Sequence, residues 1–154
     1  MLLIAALLFS AAAFPSSSRT AWMRPESFRL TIGMPRAGVE RTLKEDGWKP
    51  VKGDHDNQLV VDYASNKSLT LEFTKSRLTS IRFELFVMLP EVGGVFDEEK
   101  AYLHNALGDP KPVKSKSMVI YDAMLPNIMV VQTKDDAKGL GVLAVRYYNP
   151  VAAR

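Results

Sequence analysis

Leu69-Thr70-Leu71-Glu72-Phe73 and Ile81-Arg82-Phe83-Glu84-Leu85 are the two stretches on which the fold turns. Each alternates apolar and polar residues at every step, the period of a strand with one buried and one wetted face. Lys75-Ser76 lies between them as a short turn, with Leu78 leading into the second strand. Upstream, Leu59-Val60-Val61-Asp62-Tyr63 is apolar and β-branched, and Ser65-Asn66-Lys67 supplies a turn. Together these segments predict a three-stranded antiparallel meander. If Leu69, Leu71 and Phe73 face inward, Thr70, Glu72, Arg82 and Glu84 face outward.

A helix precedes this meander. Pro35 suits a first helical turn, Val39 and Leu43 lie four apart on one side, and Gly47 stops the run. The same order recurs downstream. Asp97 reads as an N-cap, Glu98 and Glu99 occupy the first turn, Leu103 and Leu107 mark the apolar side, and Gly108 ends the helix. Lys111-Pro112-Val113 echoes Lys49-Pro50-Val51, and Met118-Val119-Ile120-Tyr121 echoes the strand ending at Tyr63. Leu125-Pro126-Asn127 reads as a turn, Ile128–Gln132 as a strand, residues 134–139 as a hairpin loop, and Val142–Tyr148 as the last strand. The expectation is an α+β protein of two tandem units, each a helix plus a three-stranded antiparallel meander, sharing a sheet or core. Each unit alone would bury too little to stand by itself. The divisions are 1–13 signal peptide, 14–29 extended spacer, 30–88 first unit, 89–96 linker with Gly93-Gly94 as a hinge, and 97–150 second unit.

The leader carries the address. Residues 1–14 are apolar apart from one serine and span roughly 20 Å at helical rise. That is short of a bilayer core of about 30 Å. Ala11 and Ala13 give a small-x-small cleavage pattern with the cut after Ala13, although no Lys or Arg precedes the run. This predicts a periplasmic or secreted protein without a stable membrane anchor after cleavage. Cysteine is absent, which excludes disulfides, thiol chemistry and a lipid-attachment site.

The 154 residues are 47% hydrophobic and 24% charged, the composition of a globular domain. Charge is segmented. Residues 19–52 carry eight basic and four acidic groups (net +4), 53–110 five and ten (net −5), and 111–154 seven and three (net +4). Such a layout either steers a partner at long range or is neutralised when the segments intermix. Basic clusters are short and no nucleic-acid-binding signature is present.

Chemistry-bearing residues are sparse. His55 sits in a loop run Asp54-His55-Asp56, whose adjacent side chains are poorly placed to converge on one ion. His104 has no second histidine one turn away. Ser115 and Ser117 flank a lysine in a basic connector, and Asp135-Asp136 lacks the ligand series of a calcium loop. Trp48 reads as a plug at the end of the first helix. The expectation is therefore no catalytic residues, no metal and no cofactor.

The last strand is apolar on both faces. Leu143, Val145 and Tyr147 point inward, leaving Val142, Ala144, Arg146 and Tyr148 outside. An apolar second face is either covered or an interface, and Arg and Tyr are favoured interface residues. Arg82, Glu84, Arg146 and Tyr148 are accordingly the expected partner-binding residues. Their partner would be an envelope or secreted protein. The alternative is an exported small-ligand-binding or hydrolytic module with a cleft between the units lined by Asp62, Glu72 or Glu84.

Ile32-Gly33-Met34-Pro35-Arg36-Ala37, followed by Val39 and Leu43, resembles the opening helix of the SmpA/OmlA family of outer-membrane assembly proteins. Leu71-x-Phe73-x-x-x-Arg77-Leu78-x-x-Ile81 resembles that family's final hairpin. The tandem arrangement resembles the β-lactamase-inhibitor-protein-like fold. The likeness covers residues 30–86 well and 97–148 loosely. Two features depart from it: the lipid-attachment cysteine is missing, and the helix closes on Asp46-Gly47-Trp48-Lys49-Pro50. The resemblance implies a non-enzymatic module that binds another protein.

Overall fold

The structure is a computed structural model, which describes residues 19–122 and 126–150. The expected leader, its cleavage site and Leu125 lie outside the described residues.

Seven strands form one antiparallel sheet: β1 (Val51–Lys52), β2 (Gln58–Ala64), β3 (Lys67–Thr74), β4 (Arg77–Met88), β5 (Met118–Tyr121), β6 (Asn127–Asp135) and β7 (Leu140–Tyr148). Their spatial order is β1-β2-β3-β4-β7-β6-β5. This corrects the expected division into two helix-plus-meander units. β4 and β7 are register partners at every position from Ser80–Tyr148 to Met88–Leu140, so pairing across the supposed boundary is as continuous as within either half. Local alternation reports which face a residue takes but not which strand lies beside it. An unpaired edge is unfavourable, and the long β4 finds its second partner in β7.

Among the described residues two α-helices accompany the sheet, α1 (Arg36–Glu45) and α2 (Val92–Leu107). α1 starts where the backbone N–H of Arg36 donates to the carbonyl of Ser76 in the β3–β4 turn, at 2.8 Å. It ends at Gly47, whose φ of +81° is a left-handed conformation suited to glycine. α2 begins five residues before the expected Asp97 cap and contains Gly93-Gly94, so the expected linker and hinge are helix. Its buried stripe is Val92, Val95, Phe96, Glu99 and Leu103, whereas Leu107 is exposed. At Gly141 of β7 a side chain would collide with Val92, which places the start of α2 directly on the sheet backbone.

Apolar burial is one-sided. Leu69, Leu71, Ile81, Phe83, Leu143 and Val145 are fully buried on the inner face, and both helices lie against it. Residues 19–29, read as part of an extended spacer, are built into this core. Met23 and Phe28 are buried, and Pro25–Phe28 forms a single 3₁₀ turn. Trp22 packs edge-on to Phe83 at 5.6 Å and stacks on Tyr63 at 5.2 Å. Trp48 meets Phe28 and Tyr63 just beyond α1, as the plug reading expected.

This N-terminal segment is latched to α2 by a buried ion pair. Arg24 Nη2 donates to Glu99 Oε2 at 3.0 Å, and Nη1 lies 2.8 Å from Oε1 while donating its own hydrogen bond to the Met23 carbonyl. The Glu99 side chain is wholly excluded from solvent. Burial raises its carboxyl above the ordinary range, and hydrogen bonds from Arg24 and Thr20 offset only part of that. Burial lowers Arg24, but the carboxylate outweighs it and holds the guanidinium above its usual value. Tyr147 of β7 donates to the Met23 carbonyl at 3.1 Å. Ion pairs such as Arg24–Glu99, Arg19–Glu91 and Arg146–Glu72 join oppositely charged parts of the chain, so the sequence segments intermix.

Candidate functional site on the outer face of the sheet

The outer face carries no described helix, and β4 and β7 lie at its centre. Alternation places Arg82 and Glu84 on β4 and Val142, Ala144, Arg146 and Tyr148 on β7 here, as expected. The register then decides neighbours. Arg82 is opposite Arg146, and Glu84 is opposite Ala144. Two like charges directly opposed across a ladder repel. Carboxylates on the same face draw them apart.

Arg146 is held on two sides. Its Nε donates to Ser80 Oγ at 2.7 Å and its Nη2 to Glu72 Oε2 at 2.7 Å, while the guanidinium lies 5.5 Å from the Tyr148 ring centre. Glu72 is fixed in turn by Gln58, which donates to its other oxygen at 3.1 Å. Arg82 is looser, with Nε 3.6 Å from Glu84 Oε1. Glu84 accepts a hydrogen bond from Ser68 Oγ at 3.2 Å. The four expected residues thus share one face, in two charge-paired groups. Gln58, Ser68 and Ser80, which complete the groups, were not singled out beforehand. They are small or neutral polar residues on outward positions, and only the register reveals them.

The half of the face toward β5 is apolar. Ala144, Val131 and Met118 form one cross-strand row, Met129 and Ile120 continue the row from Arg146, and Val142 lies beside Phe86. These side chains are half-buried, except Phe86, which is exposed. A hollow of about 220 Å³ separates the apolar and charged halves, lined by Arg82, Glu84, Arg146, Met129, Val131 and Val142. A second of similar size lies between Glu72, Ser80, Arg146 and Tyr148.

The geometry positions charge rather than activating a nucleophile. Ser80 is bonded to a guanidinium, which cannot take its proton. His55 lies exposed in its loop, and His104 Nδ1 lies 3.3 Å from Asp109 at the exposed end of α2. Among the described residues no three of His, Asp and Glu gather as a metal site. The expected alternative of a cleft between the two halves meets a filled seam. Ile81–Tyr147, Phe83–Val145 and Leu85–Leu143 are buried register pairs across it. Glu72 and Glu84 lie on the outer face instead, as does Asp62, which is paired in register with Ser68. Among the described residues no helix is long and apolar enough to cross a membrane. No family model, curated protein or solved structure matches this chain.

Proposed function

We propose that this chain is an exported, non-enzymatic protein-binding module that engages an envelope or secreted protein through the outer face of its sheet. One observation carries the reading: apolar rows Ala144–Val131–Met118 and Met129–Ile120 sit beside fixed Arg and Glu side chains on a face that no described helix covers. Interfaces favour this combination of an apolar centre with Arg and Tyr at hand. The resemblance of residues 30–86 to the SmpA/OmlA family and the apolar leader favour an envelope setting.

The test is a pull-down from envelope extract with the wild-type protein, the Arg146→Ala/Tyr148→Ala variant and a Val131→Lys variant. Circular dichroism confirms that all three are folded. The reading expects a partner that wild type retains and both variants lose. Retention of every co-purifying protein by both variants would overturn it.

A further inference from the structure

β6 is longer than the strand that covers it. β5 pairs with Ile128–Val131, while β6 runs on to Asp135. The connector Lys114-Ser115-Lys116-Ser117 turns just before β5, with the Ser117 N–H donating to Ser115 Oγ at 3.2 Å and the two hydroxyls 3.0 Å apart. The step leaves a hollow of about 450 Å³ at the edge of the sheet, lined by Lys116, Ser117, Gln132, Thr133 and Lys134.

Backbone and charge both lie open at this step. The Gln132 N–H donates to the Ser117 carbonyl at 2.9 Å, the last rung on this side of β6. Register with β7 is unbroken to Asp135, so Lys134, two residues on, turns its N–H and C=O to the same side as Gln132. Among the described residues nothing pairs with them there. Nor does any described carboxylate pair with the Lys116 or Lys134 ammonium: Asp122 is held by Lys111, and Asp135 by Lys138 at 3.5 Å.

These features select one kind of occupant. A small anion would use the N–H and the ammonium groups but leave the carbonyl idle, whereas an added strand uses both main-chain groups. Lysines beside an open edge deter neutral strands, because pairing would desolvate charge without compensation. An acidic strand turns the same lysines into an attraction. We propose that this edge takes up an extended acidic segment of another protein, which adds to β6 in the place β5 leaves open and sets its carboxylates against Lys116 and Lys134. The surface is the edge of the sheet rather than its outer face, so Arg146→Ala/Tyr148→Ala should leave it intact.

The experiment titrates the ¹⁵N-labelled protein with acetyl-Glu-Val-Glu-Val-Glu-amide, its analogue with Gln in place of Glu, and the acidic peptide N-methylated at every residue. The acidic peptide should shift resonances of Ser117, Thr133 and Lys134 and slow hydrogen exchange of the Lys134 amide. It should bind about tenfold tighter than the neutral analogue, the scale of two partly screened ion pairs. Lys116→Gln/Lys134→Gln should abolish that preference, and Lys116→Arg/Lys134→Arg should keep it. The N-methylated peptide has the same charge but no N–H to give, and should bind at least tenfold more weakly without protecting the Lys134 amide. Equal binding of the acidic and neutral peptides, an unchanged preference in the double Gln variant, N-methylated peptide binding as well as its parent, or shifts mapping away from this edge would each overturn the proposal.

Discussion

Gly141 lies within β7 on the inner face, where alanine would ordinarily be preferred by about 0.5–1 kcal/mol. Here Gly141→Ala should destabilise the protein. An added Cβ would sit 2.4 Å from Val92 Cβ and 2.9 and 3.0 Å from its two γ-carbons. Carbon atoms pack at about 3.5 Å or more, so the start of α2 must move by about 1 Å. Overpacking of this kind costs about 1–3 kcal/mol. Set against the strand preference, the net loss should be about 1–2 kcal/mol. The partner substitution makes the argument specific. Val92→Ala removes the γ-carbons but leaves the worst contact, so it should not rescue Gly141→Ala. Val92→Gly removes the Cβ as well. It should cost about 2–3 kcal/mol by itself, because Val92 is wholly buried. In that background Gly141→Ala should be neutral or stabilising, a coupling of about 2 kcal/mol. Urea unfolding followed by tryptophan fluorescence measures the wild type and all five variants, since Trp22 and Trp48 both pack against the core. A neutral Gly141→Ala in the wild-type background, or rescue by Val92→Ala, would refute this reasoning.

Three further outcomes are expected. Arg24→Met strands the buried Glu99 carboxylate and should cost about 3 kcal/mol at pH 7. Glu99 already has a raised folded-state pKa, so its contribution is fully present below the unfolded value and is lost as pH rises through the folded one. Without Arg24 the folded value rises further, and the defect should shrink as pH is lowered from 7 toward 4.5, measured as denaturation midpoints across pH. Lys75 and Ser76 have φ of +50° and +60°, the left-handed pair of a tight hairpin turn, so Lys75→Asn/Ser76→Gly should raise stability by about 1 kcal/mol in the same assay. Tyr147→Phe removes the hydroxyl that donates to the Met23 carbonyl and should cost about 1 kcal/mol. It should also speed amide exchange in residues 19–24 more than in β2 or β3.

Strand directions were legible because one-sided burial writes a period of two into the chain. Leu69, Leu71, Phe83, Leu143 and Val145 all point to the core that their spacing assigned. The start of α2 was legible too, by a signal that glycine obscured. Val92, Val95, Phe96, Glu99 and Leu103 fall at i, i+3, i+4, i+7 and i+11, a helical stripe running through Gly93-Gly94. Packing on the sheet outweighs the poor helix propensity of the two glycines. Glu99 within that stripe is itself a clue to a buried partner, but nothing local points to Arg24, 75 residues earlier. The single sheet was not legible for a similar reason. The pairing of β4 with β7 joins residues 64 apart at Arg82 and Arg146, and repeat-like spacing along the chain says nothing about which edges meet.

The two faces of the sheet answer to different demands, which separates stability from binding. Leu71, Ile81, Phe83, Leu143 and Val145 on the inner face are closed over by α1, α2 and the N-terminal segment, so truncating any of them opens a cavity. Met129, Val131 and Val142 on the outer face are only half-buried, and the fold draws less from them. Their apolar character, in rows that continue from Arg146 and Ala144, is not required to close the core. A polar residue at any of these positions would satisfy the strand period equally well. The network Gln58–Glu72–Arg146–Ser80 shows the same surplus: three side chains hold one guanidinium in place on a surface where a solvated arginine would serve the fold. Features that folding does not need, gathered on one face with one side chain immobilised among them, are what a binding surface requires. Polar substitutions at Met129 or Val131 should therefore shift the unfolding midpoint far less than Leu143→Ala while removing partner capture.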